Sequence, residues 1–307
     1  MAQGDLHEAT PGDSTDVYYV DTGAYGTANY GTVYILDTER PAVVDTGTGK
    51  RYDLVLDAMA ELGITPQELD CIVPTHVHLD HAGGAGYLAE ECPNADVYVH
   101  EIGAHHLVEP GRLWEGTQAA VGDLIEHYAE PKPIDEDRIV ELSGGDTVDV
   151  GDRALAAHHV PGHAPHQLAF YDPVSDGVFT ADAAGSYAPG LEAPYPETPP
   201  PNFDLDQCLA DVETLRELDP EALYFGHFGA WETGTLLEET AEELEAWVED
   251  VRSAREEFED DEAVVEHFVD RTGADVRPDS VEVWGESTAR SKIAMNVSGV
   301  LRYLDGQ

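Results

Sequence analysis

The run PTHVHLDHAGG (74–84) constrains this chain more than any other feature. It puts His76, His78, Asp80 and His81 within six residues, directly after the apolar stretch DCIVPT (70–75). Neutral imidazole and carboxylate are good donors for divalent transition metals. In an extended segment His76 and His78 point the same way, because side chains alternate with a period of two. Asp80 and His81 follow where the chain turns into a helix. The run therefore offers two imidazoles to one metal and an Asp–His pair to a second. A solvated polar loop is the alternative reading. Four such groups between an apolar strand and a Gly-rich turn disfavour it.

Three more pieces follow in a telling order. HVPGHAPHQ places His163 in a loop after a strand, VFTADAAG places Asp182 at the end of an apolar strand, and LYFGHFG places His227 in the same setting. Each is weak alone, because a single histidine at a strand end is commonly a satisfied polar residue. Their occurrence together with HxHxDH is the specific signal. Around them the chain alternates β-like runs with helical spacing. DVYYV (16–20), GTVYIL (31–36), PAVVDTG (41–47) and ADVYVH (95–100) read as strands. Residues 50–62 and 205–218 carry helical spacing, and 101–130 read as two helical pieces broken near Pro110. From about 232 the sequence turns acidic and helical, and Ile293, Val297, Val300, Leu301 and Leu304 share one face.

This ensemble resembles the metallo-β-lactamase superfamily, and its glyoxalase II-like hydrolases most closely. The resemblance covers roughly 16–232 and includes the VDTG turn at 44–47. It implies an α/β chain folded as a four-layer αββα sandwich, with a C-terminal helical appendage. The expected division is an N-terminal tail (1–15), a catalytic domain (16–234) and an acidic helical region (235–307). Carried over by position, His76, His78 and His163 hold one metal. Asp80, His81 and His227 hold a second, Asp182 bridges both, and Asp45 orients ligands from behind. The implied cofactors are two divalent ions, zinc first, with iron or manganese as alternatives. Two metals about 3.5–4 Å apart share a hydroxide that attacks a thioester, ester or lactone carbonyl. Asp80 is expected to orient or deprotonate that water as well as to ligate. Tyr187, close after Asp182, is expected to hydrogen-bond the substrate. His166 faces either the site or solvent, and His100, His105 and His106 are not expected to be ligands. The Pro-rich passage 188–204 either walls the pocket or is only a stiff connector.

Departures narrow the family. Asp182 stands where some zinc β-lactamases carry Cys, and His78 where flavodiiron reductases carry Glu. A mononuclear iron persulfide dioxygenase shares much of the pattern and is the first rival. A non-catalytic metal-binding module is the second. The region after 230 is nearly devoid of Lys, which argues against glutathione as the thiol carrier.

Charge bounds the partners. Lys and Arg total 15 against 63 Asp and Glu, a net charge of −48. Polyanions and anionic lipid need clustered cations, so neither nucleic acid nor a membrane surface is an expected partner. A small-molecule substrate is, and the apolar face at 293–304 makes a homodimer a further expectation. At ordinary ionic strength such a charge opposes compaction, and molar salt shortens the Debye length to about 3 Å. The composition therefore suggests a halophile. No run approaches the roughly 18 apolar residues of a membrane span, and no secretory signal is visible at the start, so the expected location is the cytoplasm. The three cysteines, Cys71, Cys92 and Cys208, form no CxxC and suggest neither a disulfide scaffold nor a Cys-rich zinc site.

Overall fold

The computed structural model describes residues 2–306. Its first sheet has seven strands in sequence order: β1 (Leu6–Glu8), β2 (Val17–Asp21), β3 (Thr32–Leu36), β4 (Ala42–Val44), β5 (Cys71–Val73), β6 (Asp96–His100) and β7 (Ile139–Leu142). Strands β1 to β4 pair antiparallel and β4 to β7 pair parallel. Parallel neighbours need crossovers. These are supplied by α1 (Tyr52–Glu61), by α2 (Leu79–Ala82) with α3 (Ala85–Glu91), and by α4 (Glu101–Val108) with α5 (Gly111–Val121). The second sheet has six strands: β8 (Thr147–Asp149), β9 (Ala154–His159), β10 (Leu168–Asp172), β11 (Gly177–Ala181), β12 (Ala222–Phe225) and β13 (Gly229–Glu232). Its one parallel pair, β11 with β12, is bridged by α6 (Leu205–Glu217).

Strand alternation sorts the core into layers. In β3, Val33 and Ile35 face α1, α3 and α4, where they meet Val55, Met59 and Leu88. Tyr34 and Leu36 point the other way, into the space between the sheets, against Leu155, Phe170 and Phe179. The outer face of the second sheet, with Ala169, Val178 and Phe225, is covered by α6 and the C-terminal helices. The result is the expected αββα sandwich.

The two ends of the chain join this body. Within the expected N-terminal tail, Leu6–Glu8 extend the first sheet as β1, paired to Val20, Tyr19 and Tyr18. Three residues are too few for a periodic signal. The C-terminal helices are α7 (Leu236–Glu257), α8 (Asp261–Arg271), α9 (Pro278–Trp284) and α10 (Glu286–Asp305). They are the expected C-terminal helices, and together with α6 they pack on the apolar face of β10 to β12. Leu237, Leu244, Val248, Ile293 and Val297 share one buried cluster with that face. Among the described residues no helix is long and apolar enough to cross a membrane. The three cysteines are free and buried.

Candidate metal centre

The candidate ligands sit past the carboxyl ends of β5, β11 and β12 and in the turn from β9 to β10, with Asp45 past the end of β4 behind them. The open ends of adjacent parallel strands are where chain segments diverge and leave a crevice. Asp45 follows β4 in a left-handed conformation, φ 59°, and Ala181, just before Asp182, has φ 50°. Such backbone conformations are unfavourable for residues with a side chain and concentrate at functional sites. The Asp45 strain has a visible use. Its Oδ1 accepts from Thr75 N and Oγ1 at 2.8 and 2.9 Å, and its Oδ2 lies 2.8 Å from His81 Nδ1. One carboxylate thus ties β4 to β5 and fixes a ring. Thr46 N and Oγ1 both donate to the carbonyl of His81, at 2.6 and 2.7 Å. Gly84 packs so close that a Cβ there would lie 2.3 Å from the Thr46 carbonyl oxygen. This accounts for the glycines after HxHxDH.

The sequence-distant ligands converge on the same point. His76 Nε2 and His163 Nε2 each lie 3.0 Å from His78 Nδ1. His81 Nε2 lies 3.2 Å from His227 Nε2, and Asp80 Oδ2 is 3.6 Å from the latter. Asp182 spans the two groups. Its Oδ2 is 3.1 Å from His163 Nε2 and 3.7 Å from His76 Nε2, while its Oδ1 is 3.4 and 3.5 Å from His81 and His227 Nε2. The structure therefore brings all seven predicted ligands together in three overlapping sets: His76–His78–His163, His76–His81–Asp182 and Asp80–His81–His227.

The hydrogen bonds behind the rings say what the centre is built to hold. His81 Nδ1 faces Asp45, His227 Nδ1 faces the Tyr30 carbonyl at 2.9 Å, and His163 Nδ1 faces the Glu197 carbonyl at 3.3 Å. A carboxylate or carbonyl there accepts a hydrogen bond from Nδ1–H, so in the neutral ring Nε2 presents its lone pair to the centre. Lone pairs converging from several rings, with Asp182 Oδ1 buried and without a hydrogen-bond partner, are unsatisfied unless a cation sits among them. The residues thus fit a divalent metal centre. Electrostatics agree. Burial pushes the His76 and His78 pKa values well down, and neighbouring imidazoles add to it. Burial works against charge on both members of the His81–Asp182 pair, yet their attraction prevails. Asp182 and Asp45 hold His81 well above its usual value, so they favour a positive charge at its Nε2 that a proton or a metal ion can supply, and His81, His163 and His227 hold Asp182 well below its own.

A cavity of about 80 Å³ opens on the centre. Asp80, Asp182 and His78 reach its wall together with Tyr25, Tyr30, Tyr128, Glu197 and Pro199. Of the two readings of the Pro-rich passage, the wall is the one its Pro199 and Pro200 fit. Tyr187 does not reach the cavity: its ring lies against Trp231 and Phe225, at 4.8 and 5.9 Å, because its backbone pairs with the 227–228 peptide. The tyrosines that do line it are Tyr25 and Tyr30, from a loop with no periodic or motif signal, and Tyr128, at the end of the stretch read as helical. His166 is buried against His76 and His78, with ring centroids 6.1 and 5.6 Å away, and burial pushes its pKa down to about 3. His100 stacks on His159 at 4.4 Å. Neither it nor His105 or His106 joins a ligand set among the described residues.

Comparison with known proteins agrees with this architecture. A protein of Sulfurisphaera tokodaii described as metallo-beta-lactamase fold-containing is 32% identical over 203 residues, covering 64% of this chain and 72% of its own. A hydroxyacylglutathione hydrolase of Synechococcus is 31% identical over 193 residues, 62% of this chain, and the match spans only 60% of that protein. An acyl-coenzyme A thioesterase of Gallus gallus is 26% identical over 54% of this chain and 62% of its own. The crystal structure of an archaeal metallo-beta-lactamase superfamily protein from Sulfolobus tokodaii superposes with a TM-score of 0.68 at 23% identity, over 98% of this chain and 99% of that one. The family model for the metallo-beta-lactamase superfamily matches residues 26–227, from the tyrosine loop to the last of the seven ligands, and the chain belongs to that superfamily.

Proposed function

We propose that the chain is a binuclear metal-dependent hydrolase that cleaves a thioester, ester or lactone. The observation that carries the reading is Asp182, whose two oxygens face two different imidazole groups. Zinc suits this nitrogen and oxygen set. The bound ions would lower the pKa of water towards about 7 and polarise the carbonyl under attack. The remaining work falls to the chain. Asp80, only partly buried, reaches the cavity and offers a carboxylate to align a water and accept its proton. Tyr25 and Tyr128 hydroxyls lie 2.7 Å apart, so one donates to the other and the second keeps a proton for a substrate oxygen. Burial holds both well above the usual phenol pKa, so they stay donors at neutral pH. A bulky thiol or alcohol would extend past Thr117, Ala120 and Val121 of α5. The hydrolase and thioesterase names of two relatives support an acyl bond as the target.

The excess of 48 acidic charges supports a protein that keeps its fold in molar salt and loosens at low salt. The test therefore uses protein purified in high salt. Metal content is measured first, and then turnover of short-chain acyl thioesters, esters and lactones. Two zinc ions per chain with turnover support the reading. One iron per chain with oxygen uptake on a persulfide replaces it with the dioxygenase. Bound metal with no turnover leaves a metal-binding module.

A further inference from the structure

We infer that Lys292, on the C-terminal helix α10, is a positioning residue that holds one ligand histidine of each metal subsite through the two residues behind them. The inference rests on the binuclear reading above. Lys292 is 2% exposed and sits on the closing side of the site without touching a ligand. Its ammonium donates to the Tyr30 hydroxyl at 3.0 Å, to Ser186 Oγ at 3.3 Å and to Glu197 Oε1. Tyr30 and Glu197 are the residues whose main-chain carbonyls face His227 Nδ1 and His163 Nδ1. His227 belongs to one ligand set and His163 to the other. A single cation thus ties together the two peptides that aim one ring of each half-site.

The helix is shaped for this grip. Lys292, Asn296 and Gly299 lie at i, i+4 and i+7, one face of α10. Asn296 Oδ1 accepts from Thr198 N at 3.0 Å, its Nδ2 donates to the Pro196 carbonyl at 2.8 Å, and its own carbonyl accepts from Thr198 Oγ1 at 3.1 Å. Gly299 lets the helix close on the same segment, since a Cβ there would lie 1.8 Å from the Thr198 carbonyl oxygen. The Glu197 peptide is therefore held on both sides and through its own side chain. On the other arm, Trp284 Nε1 donates to the Asn29 carbonyl at 3.0 Å and meets the Tyr30 ring edge-on at 5.3 Å.

The energetics point to position rather than to fold stability. Lys292 lies over the rings of Tyr30, Tyr195 and Trp284, at 4.9, 4.8 and 5.2 Å. These contacts and Glu197 offset the desolvation of the ammonium. A buried ion pair is nonetheless seldom worth more than well-packed apolar groups of the same volume. Glu197 Oε1 is taken by Lys292 and Ser186, which fixes the carboxylate in the cavity wall and the carbonyl of the same residue against His163. Outer partners of metal-bound histidines typically carry 10–100-fold in metal affinity when lost. A residue one step further out should carry about tenfold.

The test uses the full chain in high salt, wild type against Lys292→Met and the double variant Lys292→Met/Glu197→Gln. Zinc affinity is measured by competition with a chromophoric chelator, coordination by the visible spectrum of the cobalt-loaded protein, and folding by the thermal transition of the metal-free protein. Lys292→Met should lower zinc affinity at both subsites by about tenfold and shift the cobalt bands. The double variant removes the stranded carboxylate. It should melt close to wild type while keeping the weakened affinity and the altered spectrum. Wild-type affinity and bands in Lys292→Met, or their return in the double variant, would reduce Lys292 to charge compensation and overturn the inference. Failure of the wild-type protein itself to bind zinc or cobalt would instead sink the binuclear reading, and the inference with it.

Discussion

The strand-end crevice and the C-terminal helices build the same site by different means. The crevice supplies ligands: seven side chains after β5, β9, β11 and β12, three of whose histidines are aimed by a hydrogen bond behind the ring. The helices supply no ligand. They present Trp284, Lys292 and Asn296 to the outside of the loops that carry Tyr30 and Glu197. A metal centre therefore has a chemical layer, whose residue types are dictated by the donor chemistry. It also has a mechanical layer, whose residues need only reach the right peptide. Substitutions should separate the two. Loss of a ligand removes metal and leaves the fold, whereas loss of helix packing removes stability and leaves the stoichiometry of what remains folded.

The largest effect falls in the chemical layer. Asp182→Ala removes the carboxylate shared by both groups, so bound metal should fall below one ion per chain. Turnover should drop about a thousandfold, the loss of several kcal/mol of charge stabilisation. Elemental analysis with a thioester assay checks both. Metal content unchanged by this substitution would break the site assignment. Next is Ile293→Ala in α10. Ile293 is fully buried beside Val248 and Val297, and a cavity there should cost about 3 kcal/mol in denaturant unfolding. Metal per folded chain should stay at the wild-type value. A fall in stoichiometry would show that the helix layer is not mechanical alone.

Asp45→Asn sharpens the line between the layers from the other side. The amide still accepts from Thr75 but no longer offers His81 Nδ1 a charged acceptor, so zinc affinity at the His81 subsite should weaken 10–100-fold, as read by chelator competition. The other subsite should hold.

How much of this was legible before the coordinates follows the same division. The cluster 76–81 is local, and its donors announce themselves. His163, Asp182 and His227 were readable only through their order along the chain. Asp45 was readable because VDTG is a recurrent turn. Lys292 was invisible. Its partners Tyr30 and Glu197 lie 262 and 95 residues away, and their service to the histidines runs through main-chain carbonyls, which every residue has. Tyr187 misled for the converse reason. Proximity to Asp182 in sequence said nothing about which way a ring would turn once its backbone paired with residues 227 and 228.

The smallest effect lies where α6 meets the loop before His163. Asp211 is buried on that helix, and its Oδ2 accepts from Gly162 N at 2.6 Å while Oδ1 accepts from Gln207 at 3.0 Å. Burial raises its pKa to about 6, against the pull of those two donors. A carboxyl whose pKa is higher folded than unfolded binds its proton more tightly in the native state. Its favourable contribution is complete below the unfolded value of about 4 and is lost as pH rises through about 6. Asp211→Asn keeps an oxygen for Gly162 and a polar group for Gln207 but cannot ionise. The wild type should therefore lose about 1 kcal/mol relative to the variant between pH 4 and 6.5, the shift being discounted for partial solvent screening. Denaturant unfolding of both proteins across that range measures the difference, and changes common to the two cancel. A flat difference would mean that the carboxylate is stabilised by its two donors as fully as water would stabilise it. The Gly162 contact would then be a helix holding a metal loop at no electrostatic cost, as purely mechanical as the grip of Asn296 on Thr198.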